Sequence, residues 1–541
     1  MKPQIWAGVG LLHATTVAGA EYIWPSKYDF LEDVMALQAG YIRMGFIDAV
    51  NPCDFGHSVV GRQNAAEWIR TAYHDMSTHD AATGTGGLDA SIMFELDRDE
   101  NKGTAFNNSL GFFRNYYSPR TTGADLIALS VVAASSTCGG PKIPFRAGRT
   151  DVMEAGPTGV PEPSQDIKTH TDIFAKAGFN TSDMITMVAC GHTLGGVHND
   201  NFPEITGDTT PLEVHRFESN TSHSFSKFDN VVVTEYLEGN TANLLAYGSN
   251  ETTNSDKRVF SADGNETMNA LADPATFQAK CADILERMIN TVPSTVTLTD
   301  VMDPFEVKPY IKLLALNSDG KLVFEGRIRV RVTNRATRDF DVHLTYADNS
   351  GANVSTAITT DRPTLQLGSS TGLFRESFVW HEFSTTLDAA AGISNFNVHI
   401  TPTSGSGAEV FDNGGSGFPL ENAVLLQRLQ SCTGDYSETT QTRPLTVTVA
   451  VKKERAGEPV TMELAHPVPQ LGAMLPRYEV KTHVFEKTGV EKGDYVLFEA
   501  NTPIEELDVK ITYDIVVGEG AAQTRLEFQD TDALVDPCTP L

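Results

Sequence analysis

The chain has 541 residues, too many for one hydrophobic core, so two or three domains are expected. Its 41 Lys and Arg against 70 Asp and Glu leave a formal net charge of -29. That balance excludes nucleic acid and anionic membrane surfaces as partners, because both need clustered cations.

The first twenty residues, MKPQIWAGVGLLHATTVAGA, carry Lys2, a short apolar run and small residues at Ala18 and Ala20. This is the form of a secretory signal, with cleavage expected after Ala20 and an extracellular destination for residues 21 onward. The run is too short to favour a core helix. No later segment is long and apolar enough to span a bilayer, and the closing LVDPCTPL is not the hydrophobic tail of a lipid-anchor signal. Asn107, Asn180, Asn220, Asn250, Asn265 and Asn353 each begin an N-x-[ST] sequon, in a secreted chain a glycan acceptor on a surface loop. The six cysteines suit an oxidising compartment, and their spacing alone cannot choose among the fifteen pairings.

Up to about residue 300 the apolar residues recur at helical spacing. Residues 121–137 and 275–292 read as amphipathic helices, and TSDMITMVACGH at 181–192 follows a stop at Gly178 with Thr181 or Ser182 as cap. Beyond 300 the period becomes two. In GRIRVRVTN, Ile328, Val330 and Val332 alternate with arginines, and FDVHLTY, LTVTVAV and LDVKITYDIV alternate likewise. The expected fold is therefore multidomain: a mainly α domain over 21–300, then an all-β, sandwich-like region divided near TRPLTV into 301–440 and 441–541. An aromatic such as Trp380, in FVWHEF, could belong to a sugar platform, although a core or edge position is the simpler reading.

Two segments carry the chemistry. In 68-WIRTAYHDMSTHD-80, Arg70 and His74 are four residues apart and share one helix face. His74 and His79, five apart, face different ways, which argues against a metal held between them. In the second segment, TMVACGHTLGGVH, His192 ends an apolar helix and precedes a glycine-rich turn that permits close approach to the backbone.

RTAYHD together with GHTLGGVH resembles the plant, fungal and bacterial haem peroxidase superfamily, over roughly residues 45–295. The resemblance implies haem b with His192 as axial ligand to its iron, and Asp263, in RVFSADGNE, as acceptor for the other ring N–H, which favours high-valent iron. It implies His74 as the general base for hydrogen peroxide and Arg70 as the cation that stabilises the departing oxygen. Glu95 and Asn101, in FELDRDENKG, are implied to support His74, the asparagine oxygen fixing its tautomer. Asp75 with Gly87, Asp89 and Ser91 of GGLDAS matches a distal calcium site, and Thr193, Glu218 and Asp229 fall near a proximal one, with Glu218 where the family usually has Asp.

The motifs mix branches of that superfamily. GPKIPFRAGRTD and His198, implied to reach a haem propionate, are similar to the cytochrome c and ascorbate peroxidase branch. The secretory signal, Cys53 with Cys138 and the calcium motifs are similar to the secreted fungal branch, and a hybrid of the two is the expectation. With Cys53–Cys138 taken from the resemblance, Cys190 with Cys281 and Cys432 with Cys538 remain, or Cys190 stays a buried thiol. Tyr73 stands where Phe or Trp is usual, and Phe217 where electron-transferring members carry Trp. The manganese carboxylates and the ascorbate-binding arginine have no counterpart. His79 and Asp80 read as a solvated turn. The expected activity is reduction of hydrogen peroxide with one-electron oxidation of a small organic or phenolic donor. The alternative is a cell-wall or matrix binding protein, attached to polysaccharide through its β region, with a weakly catalytic haem module.

Overall fold

The structure is a computed structural model that describes residues 23–56, 61–207, 213–219, 227–405, 407–505, 511–534 and 537–539. The expected signal and Asn220 lie outside them. The first part is helical, as the 3.6-residue period predicts. At its centre the helix Gly123–Thr137 is almost wholly buried, and its first turn is capped by Thr122, whose hydroxyl accepts from Asp125 N. Around it pack Asn64–Met76, Ala105–Phe113, Thr181–Gly191 and Pro274–Asn290 in one apolar cluster. The helix leading to His192 is capped by Asn180, one residue before the expected Thr181. Asn180 Oδ1 accepts from Asp183 N while the Asp183 carboxylate accepts from Asn180 N, a reciprocal box that outcompetes Thr181 and Ser182. Asn107 lies on the exposed side of Ala105–Phe113, on a helix rather than the expected loop.

The β region forms two facing pairs of sheets. In the first pair, Ser369–Thr371, Ser377–Leu387, Leu322–Arg331 and Val307–Leu316 face Glu409–Phe411, Asn395–Pro402, Phe340–Ala347 and Ile358–Thr359 across one core. In the second, Val424–Leu426, Thr442–Lys452, Tyr495–Glu505 and Glu486–Lys492 face Arg477–Val484, Val460–Val468, Thr512–Val517 and Thr524–Asp530. Val424–Leu426 pairs with Thr442–Lys452, so strands on both sides of residue 440 share one sheet. Three disulfides are present: Cys53–Cys138, Cys190–Cys281 and Cys432–Cys538. Cys190 is thus bridged, and ties the helix before His192 to Pro274–Asn290.

Among the described residues, three of the contacts that join the helical and β parts stand out. Ala39–Gly40 adds an edge strand to the first sheet by pairing with Ser370 and Thr371. Leu475, from a loop of the second β unit, is fully buried in the helical core, where a Cβ on Gly123 would come within 2.7 Å of its Cδ1. The third contact is a buried charge cluster. From the helix Asp29–Ala36, Glu32 and Asp33 meet Lys308 and Arg329 of two neighbouring strands. Lys308 Nζ lies 2.9 Å from both carboxylates, Arg329 bonds Glu32 and lies 3.1 Å from Asp33, and the Tyr310 hydroxyl donates to Asp33.

Arg329 shows what alternation alone misses. Ile328 and Val330 are fully buried, as expected, but so is Arg329 on the opposite face, because the first helix covers that side of the strand. Trp380 is also inside. It is 1% exposed, beside Tyr41 and Tyr310, and its indole N–H donates to Ser370 Oγ at 2.9 Å.

Burial by itself would raise the Glu32 pKa, but the charges of Arg329 and Lys308 outweigh it and hold the group at about 2, below its ordinary 4.5. Its stabilisation is therefore complete above the ordinary value and is lost as pH falls through about 2. Asp33 is shifted upward, burial being the largest cause, and so favours the fold in acid. Removing one partner strands a buried charge. Arg329→Met is expected to cost about 3–5 kcal/mol in a denaturant titration and to raise the pH of acid unfolding. A variant as stable as the native chain in both would show that this cluster does not hold the two parts together.

Candidate active site

The distal residues are placed by the helix Asn64–Met76, whose i,i+4 spacing puts Arg70 and His74 on one side. His74 is buried, and its Nδ1 lies 2.8 Å from Asn101 Oδ1. Asn101, fully buried, donates through Nδ2 to the Glu95 carbonyl at 3.0 Å. That second bond decides which end of the carboxamide faces the ring: an oxygen. Nδ1 of His74 must then carry the proton, and Nε2 is left as the basic nitrogen. Burial, then the charge of Arg70, pushes the His74 pKa down to about 3. The imidazole is neutral at ordinary pH, as a base must be.

Glu95 acts through its backbone. Its side chain accepts from Gly156 N at 2.7 Å and pairs with Arg98 at 3.1 Å. Arg70 is lowered by burial to about 10 and so remains a cation. Its guanidinium lies 4.5 Å from the centre of the Phe106 ring and donates to the Lys102 carbonyl at 3.1 Å. The same ring is 4.9 Å from His74. Sequence reasoning missed Phe106, and the only signal for it is an aromatic five residues beyond Asn101. Tyr73 turns toward Phe174, 5.8 Å between centres, and burial raises its phenol pKa.

On the proximal side His192 caps the end of Thr181–Gly191. Its Nδ1 donates to Asp256 Oδ2 at 2.7 Å, and its ring stacks on Phe217 at 4.2 Å. The partner is therefore Asp256, not Asp263. Asp263 lies seven residues further on, where its Oδ2 accepts from the backbone N–H and hydroxyl of Thr267, holding the start of the helix Glu266–Leu271. Asp256 is in the first turn of Ser255–Phe260 and 1% exposed. Two aspartates in neighbouring polar turns look alike in sequence, and only packing tells which one reaches the histidine.

The turn after His192 is stitched to the distal helix. Gly195 N donates to Gln63 Oε1 at 2.8 Å, and Arg216 donates to the same oxygen with Nη1. At Gly195 φ is +85°, and a Cβ would meet Ala66 Cβ at 2.6 Å, so only glycine suits this approach. His198 follows on the short strand Gly196–His198, where burial lowers its pKa, with Glu67, Asp200, Arg70 and Arg62 as its charged surroundings.

The expected distal calcium residues come together. Asp75, fully buried, accepts from Asp89 N, Ala90 N and Ile92 N at 2.8–3.0 Å, and Ser91 Oγ is 3.5 Å from it. Burial, then the charge of Asp89, raises the Asp75 pKa. Gly87 N–H donates to Thr78 Oγ1 at 3.2 Å. Among the described residues no third His, Cys, Asp or Glu joins Asp75 and Asp89 as a ligand group. At the proximal set, Thr193 Oγ1 donates to the Asp229 carbonyl at 2.5 Å and lies 3.3 Å from Glu218 Oε1. His79 departs from the expected solvated turn: it is 9% exposed, with Nδ1 at 2.9 Å from the Gly86 carbonyl, because the glycine loop folds back over it.

The sequence model of the family described as Peroxidase matches residues 56–336. The chain belongs to the peroxidase family. The match covers the two histidine segments and runs on into the first β strands. The chain is 42% identical to a WSC domain-containing protein of Arthroderma benhamiae over 71% of its length and 53% of that protein. It is 33% identical to peroxisomal L-ascorbate peroxidase 5 of Arabidopsis thaliana over 35% of its length and 63% of that protein, and 32% identical to cytosolic L-ascorbate peroxidase 2 of the same plant over 33% and 66%. The chain thus spans between about half and two thirds of these relatives. The Arthroderma likeness covers more of the chain than residues 1–300 could supply, so it includes part of the β region.

The peroxidase family implies haem, and the donor set fits it. His192 offers an imidazole nitrogen, Nε2, with no hydrogen bond among the described residues, on a side chain 29% exposed, while Nδ1 is fixed by a carboxylate. Asn101→Leu removes the bond that fixes the His74 tautomer. It is expected to retain haem absorbance and to slow reaction with peroxide by about tenfold or more, part of the ~10²–10⁴-fold that acid-base catalysis contributes. An unchanged rapid-mixing rate would show that the tautomer is set elsewhere.

Proposed function

We propose that this chain is a secreted peroxidase that reduces hydrogen peroxide to water and oxidises a small organic or phenolic donor one electron at a time. The observation that carries this is the pair of oppositely equipped histidines: His74, neutral and with no partner at Nε2 among the described residues, and His192, bonded to a buried carboxylate. Haem b, held by His192 Nε2, would supply an iron and a macrocycle able to store two oxidising equivalents and release them singly. His74 Nε2 takes the proton from one peroxide oxygen and returns it to the other, which leaves as water. Arg70 stabilises the negative charge on that departing oxygen. Two donor molecules then each give up one electron, and two protons complete the second water.

Secretion is supported by the form of residues 1–20, by the three disulfides and by the sequons. A hybrid position between branches is supported by the ascorbate peroxidase relatives together with Cys53–Cys138. We read Asp75, Asp89 and Ser91, with carbonyl groups of the same loop and Gly87, as a calcium site, and Thr193, Glu218 and Asp229 as a second. Two buried, adjacent carboxylates favour a cation between them, although three backbone N–H groups already satisfy much of Asp75. The wall-binding alternative loses its aromatic platform, since Trp380 packs inside.

Two outcomes follow. His74→Ala should bind haem like the native chain and react with peroxide ~10²–10⁴-fold more slowly; a native rate in stopped flow would remove His74 from this role. Metal analysis after dialysis should find bound calcium that EGTA removes with loss of thermal stability, and calcium-free protein of full stability would leave Asp75 as a loop organiser only.

A further inference from the structure

The proximal carboxylate serves two donors with one oxygen. Asp256 Oδ2 accepts from His192 Nδ1 at 2.7 Å and also from Asn243 Nδ2 at 2.6 Å. Both Asp256 and Asn243 are 1% exposed. The orientation of Asn243 is fixed from the far end. Its Oδ1 accepts from Leu245 N at 2.9 Å, capping the turn Leu244–Tyr247, and its own N–H donates to Thr241 Oγ1 at 3.1 Å. The amide nitrogen therefore faces Asp256 and donates to it.

An oxygen shared between two donors is a weaker acceptor for each, and the acceptor strength seen by an imidazole N–H governs how much electron density its other nitrogen offers a metal. We propose that Asn243 is a positioning residue that limits the electron-donating strength of His192 by competing for Asp256 Oδ2. This rests on the reading of His192 as a haem ligand. With the competitor removed, Asp256 would act on His192 alone, the imidazole would become more anionic, and ferric haem would be favoured over ferrous.

The capping role of Asn243 must be kept apart from this one. Asn243→Ser retains a good N-cap side chain but is too short to cap the turn and reach Oδ2 together. In holoprotein, this variant is expected to show a lower Fe(III)/Fe(II) midpoint potential and a higher iron–histidine stretching frequency, with an unfolding midpoint close to native. In an Asp256→Asn background the same substitution should shift neither. Asn243→Thr repeats the comparison should the serine variant not fold. An unmoved potential in the capping variants, or an equal shift with and without Asp256, would overturn the role of Asn243 while native protein still shows haem absorbance. Native protein without haem would instead overturn the reading beneath it.

Discussion

An imidazole can aim one nitrogen at a substrate or a metal only if the other is held, and the site of this chain is built on that constraint twice. His74 and His192 are both tied at Nδ1, and both leave Nε2 to work. The acceptors differ in charge. Asn101 offers a neutral oxygen whose bond raises the His74 pKa, but burial and the charge of Arg70 outweigh it and keep the imidazole neutral. Asp256 offers an anion, which would enrich His192 as the ligand proposed for haem iron. One residue type thus serves two tasks, and the difference lies in what stands behind each ring. The acceptors are themselves held, Asn101 by the Glu95 carbonyl and Asp256 by the Asn243 amide.

The same logic of held groups extends to the whole chain. The distal helix can face His192 only while the turn after His192 stays against it, through Gln63, Gly195 and Arg216. Cys190–Cys281 fixes the helix that carries His192, and Cys53–Cys138 ties the segment before the distal helix to the central one. The β region is part of this frame. Leu475 fills the helical core and Glu32, Asp33, Lys308 and Arg329 neutralise one another inside the joint. Cut apart, the two halves would expose an apolar side chain and four charges that are now buried, so the β units are structural partners of the catalytic part rather than freely detachable modules.

Much of this was legible in the sequence, for reasons that differ by residue. Arg70 and His74 could be read because helical spacing alone puts them together, and the change of period near residue 300 announced strands whose dry faces, such as Val447, Val449 and Val451, are indeed buried. Asn101 and His192 came from a family pattern, and each is found with a partner at Nδ1 of a histidine. Asp256 was not legible, because it and Asp263 occupy similar polar turns and tertiary packing chooses between them. Asn243, Phe106 and Arg329 were invisible for the same reason: each acts through a contact with a segment distant in sequence or on another element, and no local period encodes such a contact. His79 reads as part of a solvated turn until the glycine loop that encloses it is seen.

The account depends on His192 as the residue that holds haem. The direct measurement is haem titration of the apoprotein and of His192→Gly, with and without free imidazole. The native chain should bind haem stoichiometrically with the absorbance of a histidine-ligated haem, and the variant should bind weakly until imidazole fills the vacated place. Equal binding and identical spectra for the variant without imidazole would contradict it.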